Sequence, residues 1–200
     1  MIAVIDYDAG NIRSVEKAFN YLGQETIVTR DKDIILSADK VVLPGVGSFG
    51  DAMEKLNKYK LVQVIEDVCD RKIPFLGICL GLQLLFKSSD ESKGVPGLGI
   101  LDGEIVRIPD EPGLKIPHIG WNSIDIAPDG RLFKDISNQS YVYFVHSYYV
   151  EVDDRYTIAR CDYMGKFSAA IKRDNFYGVQ FHPEKSAAMG EMIIKNFLEL

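Results

Sequence analysis

Short apolar runs alternate with amphipathic stretches through the first half of this chain, and that alternation limits its possible folds more than any other feature. Ile2-Ala3-Val4-Ile5 is unbroken apolar and ends in Asp6-Tyr7-Asp8-Ala9-Gly10-Asn11. The pattern then turns helical through Phe19 and Leu22, with Asn11 or Ser14 as its expected cap. Glu25 to Thr29 and Val41 to Leu43 are the next strand segments, the second stopped by Pro44-Gly45-Val46-Gly47. Met53, Leu56, Leu61, Val64, Ile65 and Val68 form the buried stripe of one amphipathic helix. Ile73 to Ile78 reads as strand and Leu80 to Phe86 as helix. Strands that read as apolar runs are buried on both faces, and helices between them supply parallel crossovers, so the pattern implies a parallel sheet covered on both sides.

The second half is organised differently. Glycine and proline are frequent between Gly94 and Gly130. Short strand segments follow one another with turn residues between: Glu104 to Ile108, Tyr141 to Val145, Tyr148 to Val152, Thr157 to Arg160, Ala169 to Lys172 and Tyr177 to Phe181. Met189 to Leu200 closes the chain as an amphipathic helix. The expected fold is α/β, a flavodoxin-like three-layer sandwich with a mixed sheet, parallel in its first half and extended by antiparallel strands. With no repeat and no long linker, residues 1–200 read as a single domain.

Composition narrows the function classes. Net charge is -6 with both signs interspersed, which argues against non-specific nucleic-acid binding. No apolar run reaches membrane-spanning length, and the N-terminus lacks the basic and small-residue signature of a secretory signal. Three widely spaced cysteines do not make a disulfide framework. No Cys or His grouping suggests a metal site, and the expected compartment is the cytoplasm.

The densest chemical signal is Gly77-Ile78-Cys79-Leu80-Gly81, between a buried strand and a helix. That is the setting of a nucleophile elbow, with cysteine in the place of serine. The turn strains the nucleophile's backbone and requires small neighbours where strand and helix nearly touch. The helix N-terminus offers free N–H groups, that of Leu80 foremost, to stabilise negative charge on sulfur or on a developing oxyanion. A lone cysteine is more often structural, the reading given to Cys69 and Cys161; the flanking glycines set Cys79 apart.

A thiol nucleophile needs a base, and only His118, His146 and His182 are available. His182 lies in Gln180-Phe181-His182-Pro183-Glu184. In extended chain, residues two apart point the same way, so His182 and Glu184 can adjoin, and a carboxylate there would orient the imidazole. A solvated turn with a surface glutamate fits the spacing equally well. His146 lacks a following acid, and its alternation with apolar residues suits a sheet position; His118 also has no paired carboxylate. Pro44-Gly45-Val46-Gly47-Ser48-Phe49 could bring backbone amides to a reaction centre, or be a simple turn.

Together these elements resemble the class I, triad-type glutamine amidotransferases: a glycine-rich loop, Gly-x-Cys-x-Gly followed by Leu82-Gln83, then His182-Pro183-Glu184. Asp6 to Asn11, Pro44 to Phe49, Pro117-His118-Ile119-Gly120-Trp121-Asn122, Tyr143 to Tyr148 and His182 to Ser186 are similar, more narrowly, to the glutaminase subunits of imidazole glycerol phosphate synthases. The resemblance implies Cys79 as nucleophile, His182 as base and then acid, and Glu184 as its orienter. It implies an oxyanion hole from Gly45, Val46, Gly47 and Leu80, and glutamine binding by Gly47, Gln83, Ser147 and Tyr148. Trp121, Tyr143 and Lys185 would face a (βα)8-barrel cyclase in a heterodimer, and no cofactor or metal is implied. Glutaminases of anthranilate or aminodeoxychorismate synthesis share the triad motifs but fit the Pro117 to Asn122 block less well. A flavodoxin-fold cysteine peptidase or chaperone would also use a cysteine elbow, and a binding module with an inert triad is a third reading.

Overall fold

The computed structural model describes residues 1–128, 130–163 and 165–200. The first half runs β1 (Ile2–Ile5), α1 (Ile12–Tyr21), β2 (Thr26–Thr29), α2 (Lys32–Ser37), β3 (Lys40–Leu43), α3 (Phe49–Lys58), α4 (Leu61–Asp70), β4 (Phe75–Ile78) and α5 (Leu80–Gln83). Then come β5 (Glu104–Arg107), β6 (His118–Ile126), β7 (Ser140–His146), β8 (Tyr148–Glu151), β9 (Thr157–Asp162), β10 (Lys166–Arg173), β11 (Phe176–Val179) and α6 (Ala187–Leu198). Among the described residues, nine strands form one sheet in the order β2-β1-β3-β4-β11-β10-β9-β6-β7. The pairs from β2 across to β11 are parallel, and every pair from β11 to β7 is antiparallel. The expected mixed sheet is therefore present.

Two apolar layers cover the faces. On β1, Ala3 and Ile5 join the layer made with α2, α3 and α4, while Ile2 and Val4 join the layer made with α1 and α6. This is the two-residue period of a strand buried on both sides. Truncating a fully buried anchor such as Leu56 to alanine would cost about 2–5 kcal/mol.

Several sequence expectations differ from the structure. The single helix expected through Met53 to Val68 is two, α3 and α4, broken where Lys60 takes a left-handed conformation (φ 57°). Both halves still bury the same layer, so the stripe reads as continuous. The helix run Leu80 to Phe86 is helical only to Gln83, and Leu84, Leu85 and Phe86 continue as buried turn. The short α2 carries only two buried residues, too few for a legible period, and is started by Asp31, whose carboxylate accepts from the Asp33 and Ile34 N–H groups. The Gly/Pro-rich stretch contains the long strand β6, paired on both sides by β7 and β9. The segment Tyr148 to Val152 leaves the main sheet, and β8 pairs with β5 in a separate ribbon.

Consecutive parallel strands β3, β4 and β11 end side by side, Leu43 opposite Gly77 and Ile78 opposite Val179. Ligand sites of open α/β sheets form beyond such carboxyl ends. The glycine loop, Cys79 and His182 follow directly from those three ends.

Candidate active site

Cys79 sits between β4 and α5 with φ 54° and ψ -109°, a strained backbone for a non-glycine residue. Its N–H donates to Val179 O at 2.8 Å, which ties the elbow to β11. The flanking glycines are sterically required. A Cβ on Gly77 would lie 2.8 Å from Gly81 O, and one on Gly81 only 1.9 Å from Leu43 O. The loop after β3 thus rests on the elbow itself. Gly45 lies beneath, where a Cβ would meet Gly81 N and the Tyr7 hydroxyl at 2.7 Å. Tyr7, buried, donates its hydroxyl to Pro44 O at 2.7 Å. Burial, with the charge of Cys79 second, pushes its phenol well above the usual range.

His182 Nδ1 stands 2.8 Å from Glu184 Oε1, and both side chains are fully buried. The reason for their pairing differs from the expected one: Pro183–Lys185 is a 3-10 turn, not extended chain, and it folds Glu184 back toward His182. Gly190 of α6 makes this possible, since a Cβ there would lie 1.8 Å from Pro183 O. Asn11, expected as a helix cap, makes no capping bond. Its Nδ2 instead donates to Glu184 Oε1 at 3.0 Å, across 173 residues of sequence. Among the described residues His182 Nε2, Glu184 Oε2 and Asn11 Oδ1 are buried without partners. Burial alone would lower the His182 pKa; Cys79 and then Glu184 more than offset it, and it is pushed up to about 10.

The other two histidines are cross-strand partners on β6 and β7. His118 Nδ1 lies 2.9 Å from His146 Nε2, and His118 stacks on Tyr163 with ring centres 3.8 Å apart. Burial pushes His118 down to about 4 and His146 down to about 3.

Val46, Gly47, Cys79, Leu80, Gln83, Ser147 and Tyr148 line one cleft of about 270 Å³. Of the residues expected at the site, Gly45 lies below this cleft, while His182 and Glu184 are buried behind it. Trp121 is 51% exposed and packs edge-on to Tyr143 (centroids 6.0 Å), so it is not a core residue. Lys185 is exposed beside the triad turn.

Sequence reasoning missed four residues here: Tyr7, Asn11, Glu91 and Gln180. Glu91 lines the cleft and accepts from the Phe49 N–H at 2.7 Å. Gln180, fully buried, directs Nε2 at Cys79 Sγ, 3.7 Å away. Only Gln180 left a usable signal, its two-residue spacing from His182.

The sequence matches the family described as glutamine amidotransferase class-I over residues 3–200. Imidazole glycerol phosphate synthase subunit HisH of Methanocaldococcus jannaschii is 47% identical over 200 residues, covering 100% of both chains. The subunit of that name from Bacillus cereus is 49% identical over 197 residues, 98% of this chain and 93% of that one. Among solved structures, a glutamine amidotransferase superposes with a TM-score of 0.78 at 17% identity, covering 100% of this chain and 98% of that one. PurLQS from Thermotoga maritima gives 0.77 at 18% identity, covering 99% and 97%. These structural likenesses show the shared fold.

Proposed function

The chain belongs to the class-I glutamine amidotransferase family, and from that premise we propose that it is the glutaminase subunit of an imidazole glycerol phosphate synthase, using a Cys79-His182-Glu184 triad. One observation carries the assignment of roles. His182 is buried with Nδ1 tied to Glu184 while Nε2, beside Cys79, has no partner among the described residues. A buried unsatisfied nitrogen costs free energy, and a proton shuttled to and from a thiol is a use for it.

In this reading the raised pKa of His182 already holds the Cys79 proton on Nε2, and the sulfur attacks the side-chain amide carbon of glutamine. The Leu80 N–H and amides of the Gly45-Val46-Gly47 loop hold the oxyanion. As the tetrahedral intermediate collapses, the C–N bond breaks and His182 returns its proton to the nitrogen, releasing ammonia and leaving a γ-glutamyl thioester. Water, giving a proton to His182, attacks the thioester, and glutamate leaves as the Cys79 thiol reforms. Glu184, steadied by Asn11, orients the imidazole throughout.

Gly47, Gln83, Ser147 and Tyr148 bind glutamine, and Glu91 at the same cleft suits its ammonium group. The volume fits a ligand of amino-acid size. All 200 residues act as one glutaminase domain, with no cofactor in the reaction. The ammonia goes to a (βα)8-barrel cyclase that makes imidazole glycerol phosphate and an aminoimidazole carboxamide ribotide. Exposed Trp121, half-buried Tyr143 and exposed Lys185 face that partner as a heterodimer. No helix among the described residues is long and apolar enough to cross a membrane. We assign the reaction to the cytoplasm, where the free cysteines stay reduced.

Cys79→Ala tests the reading. The complex should lose glutamine-dependent synthesis by about 10⁴- to 10⁶-fold, the scale of deleting a catalytic nucleophile. It should keep synthesis driven by added ammonium salt. Near-normal glutamine hydrolysis in the variant would remove the mechanism.

A further inference from the structure

The hydrogen bonds behind the cleft form a chain whose direction is fixed by one group. Tyr148 O accepts twice, from His146 Nδ1 at 2.9 Å and from Gln83 Nε2 at 3.0 Å. A carbonyl oxygen only accepts, so both neighbours must present N–H to it. That choice propagates outward. His146, neutral and protonated on Nδ1, leaves Nε2 as an acceptor for His118 Nδ1–H at 2.9 Å. His118 Nε2 is then an acceptor as well, facing Asn122 Nδ2 at 3.4 Å.

It also propagates inward. The Gln83 amide nitrogen that meets Tyr148 O also donates to Gln180 Oε1 at 3.1 Å. With its oxygen so engaged, Gln180 must turn its NH₂ the other way, toward Cys79 Sγ at 3.7 Å. Gln180 is fully buried and Gln83 nearly so. An amide left with one end free in such a place would be costly.

We propose that Gln180 is a further residue of the catalytic machinery: its amide N–H donates to the Cys79 sulfur and stabilises negative charge there, oriented through Gln83 by the Tyr148 carbonyl that His146 and His118 hold in place. Its catalytic meaning rests on the nucleophile role proposed for Cys79. Gln180 contacts the reacting sulfur; Gln83, His146 and His118 position it through the network. The donor is neutral and takes no proton, so it complements His182, which must give and receive one.

The test is the pH dependence of Cys79 alkylation by iodoacetamide in the native full-length chain, followed on the Cys79 peptide by mass. Gln180→Met removes the donor at similar volume. Alkylation at pH 7 should slow about tenfold and its pH midpoint rise by about one unit, the scale of losing a hydrogen bond to a charged group. Gln180→Glu, which sets a carboxylate beside the sulfur, should raise the midpoint further. An unchanged alkylation curve in folded Gln180→Met, with or without a lower melting temperature, would overturn the proposal. Should that variant not fold, Gln180→Asn replaces it: it keeps a buried amide but is one methylene too short to span Gln83 and the sulfur, and an unchanged curve there would overturn the proposal equally. Alkylation needs no glutamine. A shifted curve in Gln180→Met, together with a wild-type complex that fails to hydrolyse glutamine, would retain the hydrogen bond and remove the proposed function.

Discussion

The turn after β11 buries His182 behind the cleft and the β6–β7 ladder buries His118 and His146, the latter in the cleft wall, yet the two regions shift their histidines in opposite directions. His182 faces Glu184 on one side and Cys79 on the other, and its pKa is pushed up to about 10. His118 and His146 face each other, aromatic rings and a carbonyl oxygen, and burial pushes them down to about 4 and about 3. Burial disfavours charge in both regions; what differs is whether an acid shares the space. A carboxylate makes the buried imidazole a proton carrier, and without one it becomes a neutral link with a fixed tautomer.

Removing the acid should break the comparison. Glu184→Ala leaves His182 buried with only Cys79 beside it, closer to the condition of the β6–β7 pair. Turnover at saturating glutamine should fall by about 10²- to 10⁴-fold, less than for Cys79→Ala, because the proposed orienting group is lost while the proposed nucleophile remains. Its pH–rate profile should also move, since a cause of the raised His182 pKa is gone. A turnover number within twofold of wild type would make Glu184 structural.

The same contrast predicts two opposite pH slopes of stability. For His182 the folded pKa exceeds the unfolded value, so its contribution is fully present below about 6.5 and is lost as pH rises toward about 10. For His118 and His146 the folded values are depressed. Their contribution is present above about 6.5 and is lost as pH falls toward about 4 and about 3. Urea melts of His118→Phe across the acid range should show a slope shallower by about one bound proton, with the alkaline slope unchanged. Equal acid slopes in the two proteins would show that His118 is not held neutral.

The smallest effect on stability should come from the outward side of the same ladder. Trp121 pairs with Tyr143 across β6 and β7, on the strands that carry His118 and His146. It is half exposed, and Trp121→Ala should change unfolding free energy by about 0.5 kcal/mol or less. Glutaminase stimulation by the proposed partner subunit should nevertheless weaken, as measured by glutamate release with and without that subunit. A large melting shift with normal stimulation would place the indole in folding instead of docking.

Much of the fold was legible because its cause is local. β1, β3 and β4 declare themselves as apolar runs, and the parallel-to-antiparallel division follows from where helices stop separating strands. The elbow was legible for the same reason, since Gly77 and Gly81 are spacing requirements written beside Cys79. β6 was obscured because Pro117 and Gly120 are turn residues by local preference, and pairing with β7 and β9 overrides them. The His182–Glu184 pair was anticipated for the wrong reason, because a 3-10 turn held down by α6 at Gly190 replaces the extended spacing.

By itself, then, the sequence determined the mixed sheet, the order of the motifs and the candidate nucleophile and base, all of which depend on neighbours within a few residues. Tertiary structure alone decided that Asn11 serves Glu184 instead of capping α1, that Gln180 turns its nitrogen to Cys79, and that the pKa of one buried imidazole is raised while those of two are lowered. Each of these depends on which groups share a dehydrated space after the chain closes, where the balance between burial and a charged neighbour sets protonation and hydrogen-bond direction.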